Sequence, residues 1–266
     1  MRSWGRMLAG LTLAAWLVMA GCPETVWAQG APEAIKSRGT LLAGVKYDTP
    51  PFGFVDANNQ VAGFDVDLVR EIAKSLGTKI DLVKVTSPTR IPMIVSGNVD
   101  LVAASMTITP DRAKTIDFSI VYYTGAQTLL VPNDSPIGGL KDLAGKTVAV
   151  QQGTTLEKTL AEVAPGAKIL PFRDYTSAWL ALRQGRADAF TGSYDILRGF
   201  AKGAPGFKTV GEKFSVEPFG IGMKKGESAL VEYVNKVLRD LWSSGRYAEL
   251  YRKWFEMDPD IPIPMK

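Results

Sequence analysis

The chain has 266 residues, 46% of them hydrophobic and 22% charged, a soluble globular balance with length for one or two domains and a sizeable core. Its 31 Lys and Arg stand against 27 Asp and Glu, and this scattered excess of +4 argues against a nucleic-acid partner. Histidine is absent and cysteine occurs once, which excludes imidazole triads and general bases, HExxH and thiolate zinc sites, CxxC redox centres and an internal disulfide.

In chain order, residues 1–28 have the pattern of an export signal. Arg2 and Arg6 give a positive start, and Met7 to Ala20 is an uncharged apolar run, short for a membrane span of about 20 residues. Val26-Trp27-Ala28 offers a small-residue cleavage site before Gln29. Met19-Ala20-Gly21-Cys22 resembles a bacterial lipoprotein box with Cys22 as the lipidated residue, but Met19 and Pro23 fit that box poorly, so cleavage after Ala28 is preferred. Either route exports the protein, and the expected location is the periplasm.

Strands and helices alternate through the rest. Thr40 to Val45 is a buried strand, Tyr47 to Pro51 a loop, and Asp65 to Leu76 a helix by its i, i+3, i+4 apolar spacing, stopped at Gly77. Ile80 to Val85 is a strand, a helix runs to about Ser96, and Asp100 to Ser105 is a third strand, a β-α-β-α-β order that implies a parallel or mixed sheet. Tyr122 to Val131 is a long extended segment. A second β-α series follows, with strands at Thr147 to Val150 and Ala187 to Phe190 and helices near Leu156–Val163 and Ser177–Gln184. Phe214 to Met223 is extended again, and Ala229 to Phe255 is helical with a break at Gly245. The expected architecture is two α/β lobes joined by two extended crossings, near Tyr123 and Pro218, which form a hinge because two strands bend together without free rotation. Residues 29–124 with 219–266 make lobe 1, and 125–218 make lobe 2.

The candidate site residues sit where strands end. Thr109-Pro110-Asp111-Arg112 is a helix start, with Thr109 as N-cap and Pro110 in the first position, which puts Arg112 beside outward-pointing backbone N–H groups. Ser87-Pro88-Thr89-Arg90-Ile91-Pro92 repeats the arrangement and places Arg90 beyond the adjacent strand, while Lys46 follows the first. Ligands of open α/β sheets bind beside such ends, and Arg at a helix start favours a carboxylate or phosphate. In the second series Gly153 allows close backbone approach, and Thr154 with Glu157 has capping-box spacing. Tyr47, Phe52 and Phe54 flank the first loop, as ligand sandwich or as core, while Trp242, Tyr247, Tyr251 and Trp254 have the spacing of packing residues. Asp188 and Asp195 are the acids near a further strand end. Gly145-Lys146-Thr147 imitates the end of a phosphate-binding loop but precedes its strand, and is rejected.

With these residues in place, the chain resembles the polar amino-acid group of bacterial extracellular solute-binding proteins, which serve ABC importers. The resemblance spans residues 35–256 and rests on Pro50-Pro51-Phe52-Gly53-Phe54, Gly63-Phe64-Asp65-Val66-Asp67-Leu68, Thr107 to Arg112, Ile116-Asp117-Phe118-Ser119, Asp142 to Lys146 and Tyr251 to Phe255. It implies a two-lobed periplasmic-binding-protein fold of type II with the ligand in the interlobe cleft. It also implies a membrane permease with a cytoplasmic ATPase as partners, a monomer, and neither cofactor nor metal.

By the same resemblance Arg112 takes an α-carboxylate, helped by Thr107 and the backbone at Ser105 and Thr154, and Phe52 or its loop covers the ligand stem. Lys46 and Arg90 look like the glutamate/aspartate branch, where such cations hold a side-chain carboxylate. One departure stands out. Where the family places an aspartate for the ammonium, this chain has Ser193, with Asp195 two residues on. If Asp195 does not reach the ligand, an ammonium has only hydroxyls and carbonyls to hold it, and a ligand without an ammonium comes into consideration. Glutamine, an opine and a dicarboxylate stay open as ligands. So does a cyclohexadienyl dehydratase of the same fold, with Glu217, Asp195 or Asp188 as its acid.

Overall fold

A computed structural model describes residues 31–259; the export segment 1–28, with Cys22 and both processing sites, lies outside the described residues. Two five-stranded sheets organise the chain. The first has the order Lys79–Lys84, Thr40–Val45, Leu101–Val102, Gly222–Lys224, Ile116–Phe118, and the second the order Lys168–Phe172, Thr147–Gln151, Ala189–Ser193, Gln127–Pro132, Phe207–Val210. In each, the first three strands are parallel and the fourth runs antiparallel to both its neighbours. The lobes thus share one plan that no repeat in the sequence announces. In both, the parallel strands turn their C-terminal ends toward the other lobe.

The expected crossings pair as a ribbon, Tyr123–Gly125 against Glu217–Phe219, with Glu217 opposite Gly125. The ribbon does not cross open solvent. Tyr123 stacks on Phe219 at 5.5 Å and on Phe255 at 5.1 Å, and Phe52, fully buried, meets Tyr123, Phe219 and Phe255 edge-on. Such aromatic pairs add about 0.5–1.5 kcal/mol each beyond area burial, which makes this hinge a packed structure.

The amphipathic helix Phe64–Leu76 buries Leu68, Val69, Ile72 and Leu76 against the first sheet and ends at Gly77 in the left-handed conformation, as expected. Its Asp67 accepts from Lys253 Nζ and Trp254 Nε1, tying down the last helix, Arg246–Phe255. Gly245, at φ 81°, separates that helix from Ser228–Ser243.

The departures have local causes. The strand expected at Asp100 to Ser105 pairs only at Leu101–Val102, because the following residues leave the sheet as a loop with Ser105 at φ 46°. Helices Ala31–Arg38 and Tyr194–Lys202 and strands Lys168–Phe172 and Phe207–Val210 were not expected; the second of these helices carries Gly199, which weakens its helical signal. The helix expected at Ser177 starts at Tyr175, because Asp174 caps it by accepting from the Ser177 N–H at 2.7 Å. The capping box of Thr154 and Glu157 does not form. Thr154 Oγ1 instead donates to the Gln151 carbonyl at 2.6 Å, and the helix begins at Leu156.

Gly63 fixes the entry to helix Phe64–Leu76. Its φ is 138°, and a Cβ there would lie 2.1 Å from the Phe52 carbonyl oxygen. Gly63→Ala is expected to destabilise the protein by roughly 2–4 kcal/mol, from backbone strain plus overpacking, read as a lower urea midpoint at unchanged slope.

Candidate ligand-binding site

The C-terminal strand ends of both lobes close around a small cavity of about 20 Å³. Lobe 1 lines it with Lys46, Arg90, Ser105 and Thr107, lobe 2 with Thr154, Thr155, Leu156, Tyr175 and Ser193, and the returning crossing with Glu217 and Phe219. The placement follows from topology. Lys46 is the first residue after strand Thr40–Val45, Arg90 opens helix Arg90–Val95 after the paired strand Lys79–Lys84, and Ser193 closes strand Ala189–Ser193.

Two cations are fully buried here. Lys46 Nζ donates to Gln151 Oε1 at 2.8 Å, which also accepts from Ser87 Oγ at 3.1 Å, and it lies 4.5 Å from the centroid of the Tyr175 ring. Burial, and then the Arg90 charge, push the Lys46 ammonium down to about 7. Arg90 Nη1 donates to the Ala104 carbonyl at 2.8 Å, its Nε has no partner, and burial followed by the Arg112 charge takes the guanidinium down to about 9, still protonated at neutral pH. Among the described residues neither cation ion-pairs with a carboxylate. The Asp48 and Asp65 carboxylates offset these charges only from beyond ion-pair contact; a buried charge without a contacting counter-charge costs several kcal/mol, so this end of the cavity is arranged to receive an anion.

Behind the cations, Asp65 accepts from the Ser105 N–H at 2.8 Å and the Tyr122 hydroxyl at 2.8 Å. Burial raises its carboxyl to about 6 against the opposing pull of those bonds. The contact holds Ser105 in a left-handed conformation that a non-glycine residue adopts only when its surroundings enforce it.

Arg112 stands beside the cavity. Helix Pro110–Thr115 starts as expected, with Thr109 Oγ1 accepting from the Arg112 N–H. The Arg112 guanidinium donates to the Thr107 carbonyl at 2.7 Å and, across the cleft, to the Gly153 carbonyl at 3.2 Å. The lobes are closed on one another. Besides the Lys46–Gln151 and Arg112–Gly153 bonds, the Tyr175 N–H donates to Asp48 Oδ2 at 2.8 Å, and Gly153 and Gly199 lie so close to Pro88 and Pro50 that a Cβ would fall within 2.9 Å and 2.5 Å of their backbones.

Six of the residues singled out from sequence therefore line one cavity, Lys46, Arg90, Ser105, Thr107, Thr154 and Ser193; Arg112 and Gly153 are not among its lining residues, but Arg112 bonds the Thr107 carbonyl and, through Gly153, the other lobe. Phe52 and Asp195 are placed elsewhere. Phe52 belongs to the aromatic core under the hinge, which leaves no face for a ligand. Asp195 is bonded to the Tyr123 hydroxyl, pairs with Arg198 at 3.6 Å and lines a separate groove with Pro50 and Trp254. Asp188 accepts from the Thr147 N–H, at the far end of its strand pair. Tyr175, Thr155 and the ligand-facing position of Glu217 had no local signal, because each depends on contacts distant in sequence. Among the described residues no cluster of three or more acids, His or Cys could hold a metal, and no helix is long and apolar enough to cross a membrane.

Residues 41–257 match the family of bacterial extracellular solute-binding proteins, family 3. The ABC transporter glutamine-binding protein of Bacillus subtilis is 40% identical over 231 residues, 85% of each chain. An ancestral arginine-binding protein bound to glutamine superposes with a TM-score of 0.79 at 41% identity, covering 83% of this chain and 99% of that one. An ancestral amino acid-binding protein described as a precursor of cyclohexadienyl dehydratase gives 0.80 at 40% identity, covering 84% and 99%.

Proposed function

The chain belongs to the bacterial extracellular solute-binding proteins, family 3, as the substrate-binding component of an amino-acid ABC importer, and we propose that its ligand is glutamate or aspartate. The observation that carries this reading is the pair of buried cations without a carboxylate partner, Lys46 and Arg90, in a cavity beside which Arg112 joins the lobes. A ligand with two carboxylates supplies both counter-charges. Arg112, with Thr107 and the backbone around Ser105 and Thr154, takes the α-carboxylate; Lys46 and Arg90 take the side-chain carboxylate. We take residues 29–124 with 219–266 and 125–218 as the lobes that close on it, in an exported, periplasmic monomer that presents its closed form to the permease.

Glutamine is the second reading, favoured by the 40% identity to a glutamine-binding protein. We do not adopt a dehydratase. Of its three candidate acids, Asp188 and Asp195 lie outside the cavity, and Glu217 accepts bonds from hydroxyls, the arrangement of an acceptor and not of a proton donor.

Calorimetry on protein from Gln29 onward, unfolded and refolded to strip bound ligand, against the twenty L-amino acids, succinate and 2-oxoglutarate, tests the reading. Glutamate or aspartate is expected to bind at least about tenfold tighter than glutamine, a charged hydrogen bond's worth, and Arg90→Met to erase the difference. Glutamine binding as tightly as either would overturn it.

In the closed lobes a ligand carboxylate beside Lys46 favours its protonated form, so filling the closed cavity takes up a proton where the empty closed form has lost it. The affinity of the closed form is expected to be highest below pH 7 and to fall by up to about tenfold per pH unit above it, until the raised pKa of the complex is passed. Titrations at pH 8 in two buffers of different ionisation enthalpy should show this uptake, and Lys46→Met should abolish it.

Closure has its own test. In Gly199→Ala the new methyl meets the Pro50 backbone only when the lobes are shut. Weaker affinity is expected for every ligand alike, with selectivity unchanged and thermal stability held, since Ala favours the helix by about 1 kcal/mol.

A further inference from the structure

We propose that Glu217, on the hinge, is the acceptor for the ligand's ammonium group, the role that neither Ser193 nor Asp195 is placed to fill with a carboxylate. The inference rests on the amino-acid reading above but not on which amino acid is bound. Glu217 is 4% exposed and lines the cavity. Its Oε2 accepts from Thr107 Oγ1 of lobe 1 at 2.5 Å and from Thr155 Oγ1 of lobe 2 at 2.7 Å, and its Oε1 accepts from Ser215 Oγ at 3.1 Å. These donors are all neutral. An ionised carboxylate offers about four lone-pair directions, so one is left, on Oε1. Among the described residues no Lys or Arg forms an ion pair with it. Arg112 attracts this carboxylate from beyond ion-pair contact, and a ligand ammonium provides the contacting counter-charge that its hydroxyl partners lack.

A second observation points to the same spot. The Ser193 hydroxyl is buried, lines the same cavity and has no hydrogen-bond partner. It flanks Gly125, the residue paired with Glu217 in the hinge ribbon: a Cβ on Gly125 would lie 2.5 Å from Ser193 Oγ and 3.5 Å from Glu217 Cβ. The missing side chain makes room for the unpartnered hydroxyl beside the stem of the Glu217 side chain. An ammonium brings three donors, which suits a carboxylate oxygen and a hydroxyl side by side. Asp195 has no part in this, because Tyr123 and Arg198 already hold it outside the cavity.

The position also ties amine recognition to closure. Thr107 and Thr155 reach one oxygen of Glu217 from opposite lobes, so the carboxylate is fully assembled only when the lobes are shut.

The test measures each amino acid against its des-amino partner: glutamate with glutarate, aspartate with succinate, glutamine with glutaramate, arginine with 5-guanidinovalerate. Which pair binds decides the acidic-ligand reading; the ratio within the binding pair decides this one. In the wild type the amine should bind at least about tenfold tighter than its partner. Glu217→Gln should cut that ratio at least about tenfold, and adding Ser193→Asp should restore it by returning a carboxylate to the site. If Glu217→Gln does not fold, Glu217→Asp keeps the charge, draws it back by one methylene, and should likewise lower the ratio. Equal weakening of both members would assign Glu217 to closure alone and overturn the proposal. So would an unchanged ratio, or a wild type that binds only the member without an amine.

Discussion

Two positive charges buried at the ends of neighbouring parallel strands set the terms for the rest of the molecule. Strands Thr40–Val45 and Lys79–Lys84 run in register, and the chain beyond them delivers Lys46 and Arg90 to the same place. The protein compensates them only in part, with one amide oxygen, backbone carbonyls and an aromatic face. The amide and the aromatic face, Gln151 and Tyr175, belong to the second lobe. Lys46 is therefore fully desolvated only when the lobes meet. Closing without a counter-charge sets its desolvation cost and its repulsion from Arg90 against the hydrogen bonds and packing formed across the cleft. An anion in the cavity reverses that balance, which couples occupancy to closure by ordinary linkage.

That coupling needs a joint that moves without coming apart. Tyr123 and Phe219, one on each crossing strand, are stacked on one another and packed with Phe52 and Phe255 in the core of lobe 1. The ribbon is thus anchored in apolar packing on one side while Glu217 and Gly125 face the cavity on the other. The Ser105 loop shows the same economy. Asp65, in the first turn of a core helix, holds a strained residue at the cavity wall, so the geometry of the site rests on helix packing deep in the lobe.

Much of this could be read from the sequence where the signals were local. Arg112 was placed by Thr109 and Pro110, a cap and a first-turn proline; Arg90 and Lys46 were placed by being next to strand ends. Thr154 shows the limit of such reasoning. Its spacing to Glu157 matches a capping box, yet its hydroxyl turns back to Gln151 and Thr155 is recruited by Glu217, 62 residues away. The Phe52 reading failed in a similar way, since an aromatic residue beside a binding loop has the same local pattern whether it faces ligand or core. Asp195 was drawn in by its closeness in sequence to Ser193, but residue 195 begins a helix whose first turn points at Tyr123 and away from the cleft.

By itself the sequence determined the alternation of strands and helices, the two crossings, the exclusion of histidine- and thiolate-based chemistry, and a set of cations at strand ends. Each follows from composition or from spacing within one element. The tertiary structure alone decided that the two lobes repeat one sheet plan, that Lys46 and Arg90 are buried without carboxylate partners, and that Glu217 stands with Ser193 beside a bare Gly125. Those facts depend on contacts such as Lys46 with Gln151 and Thr107 with Glu217, which lie 105 and 110 residues apart in the chain. No short-range pattern encodes an encounter at that separation; it exists only once two sheets have formed and a packed hinge has brought their strand ends together.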